Sequence, residues 1–210
     1  MRVVVLADIE LKEELLAQGV NKPLAISWLP GIEELKTQVD ADALIDLLFK
    51  PDSERIELLS KLLPMPVLIN SVDTTLSELP QGFVRFNGWP TFLKRPKVEA
   101  SCNNGSLKKR TEEIFSLLNK KVDWVADESG FITARVVAMV INEAYFAWGE
   151  GVSSKDEIDV AMKLGTNYPY GPFEWAEKIG VKKIIKLLNK LSSIHKRFEP
   201  AEHLLKEYKK

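Results

Sequence analysis

The sequence predicts an α/β domain with a parallel sheet over residues 1–127, followed by an all-α domain over residues 128–210. Short apolar runs alternate with stretches of helical periodicity in the first half, the order that builds right-handed strand–helix–strand crossovers. After Asp127-Glu128-Ser129-Gly130 the strand runs stop, and residues 131–148 continue without a breaker through Ala, Val and Met. With 210 residues, 45% hydrophobic and 28% charged, the chain is long enough to bury a core in one or two domains.

Residues 3–6 form a continuous, largely β-branched run, the pattern of a strand buried on both faces. Residues 9–18 carry Leu11, Leu15 and Leu16 at helical spacing and end at Gly19. The runs 24–29, 43–49 and 66–69 supply further strands. Between the last two, Pro51-Asp52-Ser53 opens a helix with Ile56, Leu58, Leu59 and Leu62 on its apolar face. A stretch marked by Gly and Pro then contains the runs 83–86 and 98–102, before a helix over 106–118 and a strand over 122–125. The second half reads as a long buried helix over 131–148, then helices at 154–164, 172–189 and 200–208. Ser153 or Ser154 caps the second of these, which stops at Gly165, and Pro172 sits in the first turn of the third. Tyr168, Tyr170, Phe173 and Trp175 read as packing between helices. The Lys206, Lys209 and Lys210 tail reads as a solvated helix end.

Lys and Arg number 29 against 30 Asp and Glu, so the net charge of −1 gives no global pull toward nucleic acid or an anionic membrane. The single cysteine, Cys102, cannot pair within the chain, which points to a reducing compartment. No apolar run approaches the roughly 18–20 residues of a membrane span, and Met1-Arg2-Val3-Val4-Val5 lacks the pattern of a signal peptide. A cytoplasmic protein is expected. There is no Cys/His cluster at metal-ligand spacing, no Walker loop and no nucleophile elbow, so no metal site is expected.

The string EGVSSKDEIDVAMKLGTNYPYGPFEWAEKIG, from Glu150 to Gly180, resembles the C-terminal domain of the 3-hydroxyacyl-CoA dehydrogenases of fatty-acid β-oxidation. Glu150-Gly151-Val152, Ile158-Asp159, Ala161-Met162, Gly165, Pro169, Gly171-Pro172-Phe173 and Gly180 carry the match, and Ser129-Gly130-Phe131-Ile132 with Arg135 resembles the entry into that domain. The match covers about 80 residues at fixed spacing. The resemblance implies a Rossmann-like first domain and a helical second domain of the 6-phosphogluconate/3-hydroxyacyl-CoA dehydrogenase type. It also implies that the helical domain covers the substrate cleft and supplies a dimer contact. The first half resembles the family less closely. Residues 42–62 look like a shortened third strand and helix, 70–79 like the segment ending the fourth strand, 82–90 like the segment of the catalytic histidine, and 97–99 like that of its glutamate partner.

By that resemblance the cofactor is NAD, which needs a Gly-rich turn after the first strand. Here the turn is Ala7-Asp8-Ile9-Glu10-Leu11-Lys12, with no glycine between Met1 and Gly19. Side chains obstruct the phosphates and two carboxylates repel them, so no cofactor is expected. The family's glutamate past the third strand falls on or near Lys50, and its nearby lysine near Arg55. The histidine position falls on Val84, or on Arg85 with a one-residue slip. Neither serves as a base near pH 7, and the chain's only histidines are His195 and His203, read as surface residues. Phe86 and Asn87 match, and Glu99 stands at the partner position. The substrate-contacting serine aligns with Val72, beside Ser71 and Thr74, and the asparagine before Arg135 is Ala134.

The candidate site residues are therefore Glu99, as the retained catalytic position, with Asn87, Lys94 and Arg95 for substrate binding. Lys94 and Arg95 belong to an aromatic-basic cluster with Trp89 and Phe92 that offers a place for a nucleotide phosphate of coenzyme A. The expected protein is a shortened, catalytically degenerate 3-hydroxyacyl-CoA dehydrogenase-like chain with a binding, regulatory or assembly role, with acyl-CoA or an active relative as its partner. The alternative is an active NAD-dependent dehydrogenase with an unrecognised site, and a third reading is a purely structural dimer. A homodimer through the helical domain is expected because Val136, Val137, Met139, Val140, Ile141, Tyr145 and Phe146 make its first helix apolar on more than one face.

Overall fold

The structure is a computed structural model describing residues 1–35 and 40–208. The chain forms two compact units that divide between Phe131 and Ile132. The first holds a seven-stranded sheet in the order β2-β1-β3-β4-β5-β6-β7. Strand β1 (Arg2–Leu6) runs parallel to both β2 (Ala25–Leu29) and β3 (Ala43–Asp46), and β4 (Val67–Asn70) and β5 (Phe83–Phe86) continue the parallel order. Its side chains alternate between two cores. Val3 and Val5 join Leu11 and Leu15 of α1 (Ile9–Leu16) and Ile114 and Phe115 of α3 (Gly105–Leu117). Val4 and Leu6 join Leu59 of α2 (Ser53–Ser60). A continuous apolar run in the sequence is thus a strand covered on both faces.

The sheet is parallel as expected except at one pair. Strand β6 (Lys97–Ser101) runs antiparallel to β5, with Arg85 opposite Ser101 and Phe86 opposite Ala100, and β7 (Lys121–Trp124) is parallel to β6. The connection over residues 87–96 contains no helix, so the chain returns as a wide hairpin rather than as a crossover. The third strand also ends earlier than residue 49. The buried Asp46 carboxylate accepts from the Leu48 N–H at 3.0 Å and turns the chain there.

In the second unit α4 (Thr133–Gly149) packs against α5 (Lys155–Thr166), α6 (Pro172–Ile179), α7 (Val181–Ser192) and α8 (Glu202–Tyr208). The expected helix over 172–189 is two helices. Gly180 interrupts it at φ +94°, a conformation open to glycine at little cost. Ser154 rather than Ser153 caps α5, which runs past Gly165 and ends on Asn167 in the left-handed region. Helix α4 begins after Phe131, which stands at φ +49°, and it is not buried all round: Ile132 just ahead of it, and Val136 and Phe146 on it, are exposed. His195 is exposed as expected, but His203 is half-buried on the Trp148 ring, with centroids 5.2 Å apart. Tyr168 and Tyr170 pack on Trp175, and Phe173 on Tyr145 and Trp148. In the Lys-rich tail Lys206 pairs with Glu202 at 2.7 Å, whereas Lys209 and Lys210 lie outside the described residues.

Candidate functional site

In a parallel α/β sheet, ligands sit outside the carboxyl ends of the strands, where the strand order reverses. Here that place lies between β1 and its neighbours. Asp8, directly after β1, caps α1, its Oδ1 accepting from the Leu11 N–H at 2.8 Å. One donor that an incoming phosphate would use is already taken, and the carboxylates of Asp8 and Glu10 place negative charge at the helix start. The residues present therefore do not fit the pyrophosphate of a dinucleotide.

The ends of β3, β4 and β5 are joined by their own side chains. Asn70 Nδ2 donates to the carbonyls of Leu47 at 3.0 Å and Gly88 at 2.9 Å, and its Oδ1 accepts from the Gly88 N–H at 2.9 Å. A Cβ on Gly88 would lie 2.8 Å from the Asn70 amide carbon, so glycine is required for this approach. Beside it, the buried Asp46 carboxylate accepts two bonds from Arg55, Nε at 2.7 Å and Nη2 at 2.6 Å. Burial raises the Asp46 pKa and the guanidinium opposes the rise. Arg55 thus completes an internal ion pair.

Val84 and Arg85 both have 0% exposure. Val84 is part of the core, and Arg85 donates to the carbonyls of Ser71, Val72 and Glu128 and to the Asp127 carboxylate, the last at 2.7 Å. Its guanidinium also lies 4.0 Å from the Phe131 ring centroid. The side chain fastens the segment after β4 to residues 127–131, with all its nitrogens engaged. Ser71 turns its hydroxyl to Thr74 O at 2.7 Å, and Val72 is buried. Ala134, in the second unit, is fully buried and offers no polar group.

Of the four predicted site residues the structure brings two, Asn87 and Glu99, into contact. Asn87 Nδ2 donates to Glu99 Oε2 at 3.1 Å, and the Asn87 N–H donates to Glu99 O at 2.9 Å. Arg95 lies over the Phe92 ring at 4.6 Å; burial lowers its pKa, and the charge of Glu99 opposes this. Lys94 turns instead to α1, with its Nζ 4.0 Å from Glu14 Oε1. Trp89 and Phe92 are buried and stacked, with ring centroids 6.5 Å apart. The hairpin thus carries a carboxylate bonded to an amide, with the Arg95 guanidinium on the same connection, groups suited to a polar or anionic ligand.

Sequence reasoning missed Glu14 and Lys120. Both are charged residues in otherwise ordinary helical or turn patterns, and both are buried, at 9% and 3% exposure. Glu14 accepts the Thr91 N–H, with both oxygens at 2.8 Å, and Lys120 donates to the carbonyls of Leu93 and Arg95. Burial raises the Glu14 pKa and pushes Lys120 down to about 8. The cage around Lys155 in the second unit was missed as well. Its Nζ lies 5.2, 4.4 and 5.1 Å from the ring centroids of Tyr145, Trp148 and Phe173 and pairs with Glu207. The spacing of those aromatics signals packing alone.

Residues 130–209 match the family model described as 3-hydroxyacyl-CoA dehydrogenase, C-terminal domain. Among curated proteins, the chain is 38% identical over 107 residues to the 3-hydroxyadipyl-CoA dehydrogenase of Escherichia coli, covering 50% of this chain and 22% of that protein. It is 29% identical over 164 residues to the 3-hydroxybutyryl-CoA dehydrogenase of Clostridioides difficile, covering 77% of this chain and 56% of that protein. The chain thus spans less than two thirds of these relatives. The solved (S)-3-hydroxybutyryl-CoA dehydrogenase of Ralstonia eutropha superposes with a TM-score of 0.74 at 17% identity, covering 98% of this chain and 92% of that one, which is a likeness of fold.

Proposed function

From the match of residues 130–209 to the C-terminal domain of the 3-hydroxyacyl-CoA dehydrogenases, we propose that the chain is a member of that family that keeps its fold and acyl-CoA ligand class but not its hydride transfer. The single observation that carries this reading is the turn after β1, where Asp8 caps α1 in the place of a glycine-lined phosphate cradle. The hairpin supports it. Val84 or Arg85 occupies the base position, and Glu99 holds an amide from Asn87. The role is binding, regulation or assembly.

The acyl-CoA would be held in the first unit, with Lys94 and Arg95 supplying positive charge for its phosphates and Asn87 and Glu99 polar partners. The second unit would form a homodimer. Val136 and Phe146 of α4 and Val160 and Leu164 of α5 are exposed, an apolar surface that a second copy would cover. Among the described residues no helix is long and apolar enough to cross a membrane. The unpaired Cys102 supports a reducing, cytoplasmic setting.

Calorimetric titration of the chain with acetoacetyl-CoA, NAD and NADH tests the reading. Saturable heat with the thioester and none with either nucleotide at millimolar concentration is expected. Saturable NAD binding would overturn the reading of the first turn, and absence of thioester binding would overturn the ligand class.

A further inference from the structure

Residues 91–95 are held more tightly than a surface connection requires. Thr91 stands at φ +78°, a left-handed conformation that a β-branched residue keeps only where its surroundings impose it. Glu14 of α1 imposes it by accepting the Thr91 N–H. Lys120, directly ahead of β7, holds the carbonyls of Leu93 and Arg95. Gln18 Nε2 donates to Lys94 O at 2.7 Å. Three side chains thus tie four backbone groups within five residues. Two of the three are buried charges, whose desolvation is unfavourable unless the bonds they make are well formed.

The charges around this clamp are mutually consistent. Lys94 and Lys120 oppose the charge of Glu14 while Glu10 repels it, and Glu112 and Lys121 line the same cavity of about 620 Å³ as Lys120. A neutral Lys120 amine still carries two N–H groups for its two carbonyls, so the clamp survives its deprotonation. The clamped segment carries Arg95, whose guanidinium is backed by the Phe92 ring and faces the charge of Glu99.

We propose that Glu14 and Lys120 are positioning residues: they fix the backbone of residues 91–95 so that Lys94 and Arg95 are presented to the phosphates of a ligand. This rests on the assignment of those two cations to acyl-CoA binding made above. Neither positioning residue touches the ligand. The effect of Lys120 passes through Leu93 O and Arg95 O, and that of Glu14 through Thr91 N and through its 4.0 Å approach to Lys94 Nζ.

The test uses the full chain and its variants Glu14→Ala, Glu14→Gln and Lys120→Met, with coenzyme A as the calorimetric probe and amide hydrogen exchange as the second readout. Glu14→Ala and Lys120→Met should speed exchange over residues 91–95 by about tenfold or more, with protection in β1 and β3 retained. Both should weaken coenzyme A binding by about tenfold. Glu14→Gln keeps one acceptor for the Thr91 N–H and should recover part of both effects. Protection lost evenly through the first unit, with coenzyme A affinity of the folded protein unchanged, would overturn the positioning role. Unaltered exchange over 91–95 in both variants would overturn it as well. If the unmodified chain does not bind coenzyme A, the ligand assignment fails, and the positioning role fails with it.

Discussion

Arg85 and Arg55 each stand where the family resemblance places a working side chain, and each is fully committed to holding the fold. Arg55 shares a buried two-bond contact with Asp46. Removing one partner of such a pair leaves an uncompensated buried charge, so Arg55→Met should lower stability by about 3–5 kcal/mol, read by urea unfolding. A loss below about 1 kcal/mol would mean that the pair is solvated in solution. Lys120 gives a pH signature. Its folded pKa of about 8 lies below its ordinary 10.5, so between those values the unfolded chain binds more protons than the folded one. Stability should therefore rise with pH across that window, and Lys120→Met should remove the rise. A wild-type slope unchanged by the substitution would contradict the burial of this amine.

Among the elements, the joint between α5 and α6 is the most specific. Asp159 of α5 accepts from the Phe173 N–H at 2.8 Å and the Glu174 N–H at 3.0 Å, so one helix supplies the N-terminal cap of the next. A Cβ at Gly171 would lie 2.2 Å from the Asp159 carboxyl carbon, which explains glycine there. Asp159→Ala should therefore cost about 1–3 kcal/mol, and Gly171→Ala should destabilise through the clash even though its backbone angles suit any residue. An unchanged melting temperature in both would contradict the cap. Glu157, in the capping box of α5, is held at a pKa of about 2 by Ser153 and Ser154, so its contribution is present above the ordinary carboxylate range and is lost as pH falls toward that value. A carboxyl titration near 4.5 in NMR would show the box to be open.

The strands β1 to β4 and β7, the helix starts at Asp52 and at Ser153 or Ser154, and the change from mixed to helical structure are all legible in the sequence, because periodicity and capping are local signals. What stayed hidden depends on distant partners. The antiparallel return of β6 is decided by how residues 87–96 pack, and the break at Gly180 lies inside an unbroken apolar period. Asn142, which holds Glu199 O at 2.9 Å and the Ala201 N–H at 2.8 Å, looks like one more polar residue of a helix. At the candidate site, Glu99 and Asn87 were legible through their matched segment, whereas Glu14 and Lys120 act on backbone atoms far along the chain and carry no sequence mark. For the whole molecule, the proposed dimer rests on the exposed apolar residues of α4 and α5. Light scattering over a dilution series should give about twice the 23.7 kDa chain mass. A mass of 23.7 kDa at high micromolar concentration would contradict the dimer.

The proposed loss of hydride transfer is tested most directly by following NADH absorbance with acetoacetyl-CoA while the amount of protein is varied. The expected rate equals the protein-free blank at every concentration, because the first turn carries Asp8 where phosphates would sit and the base position holds Val84 or Arg85. A rate proportional to protein concentration, and abolished by Glu99→Gln, would contradict this and establish a working dehydrogenase site.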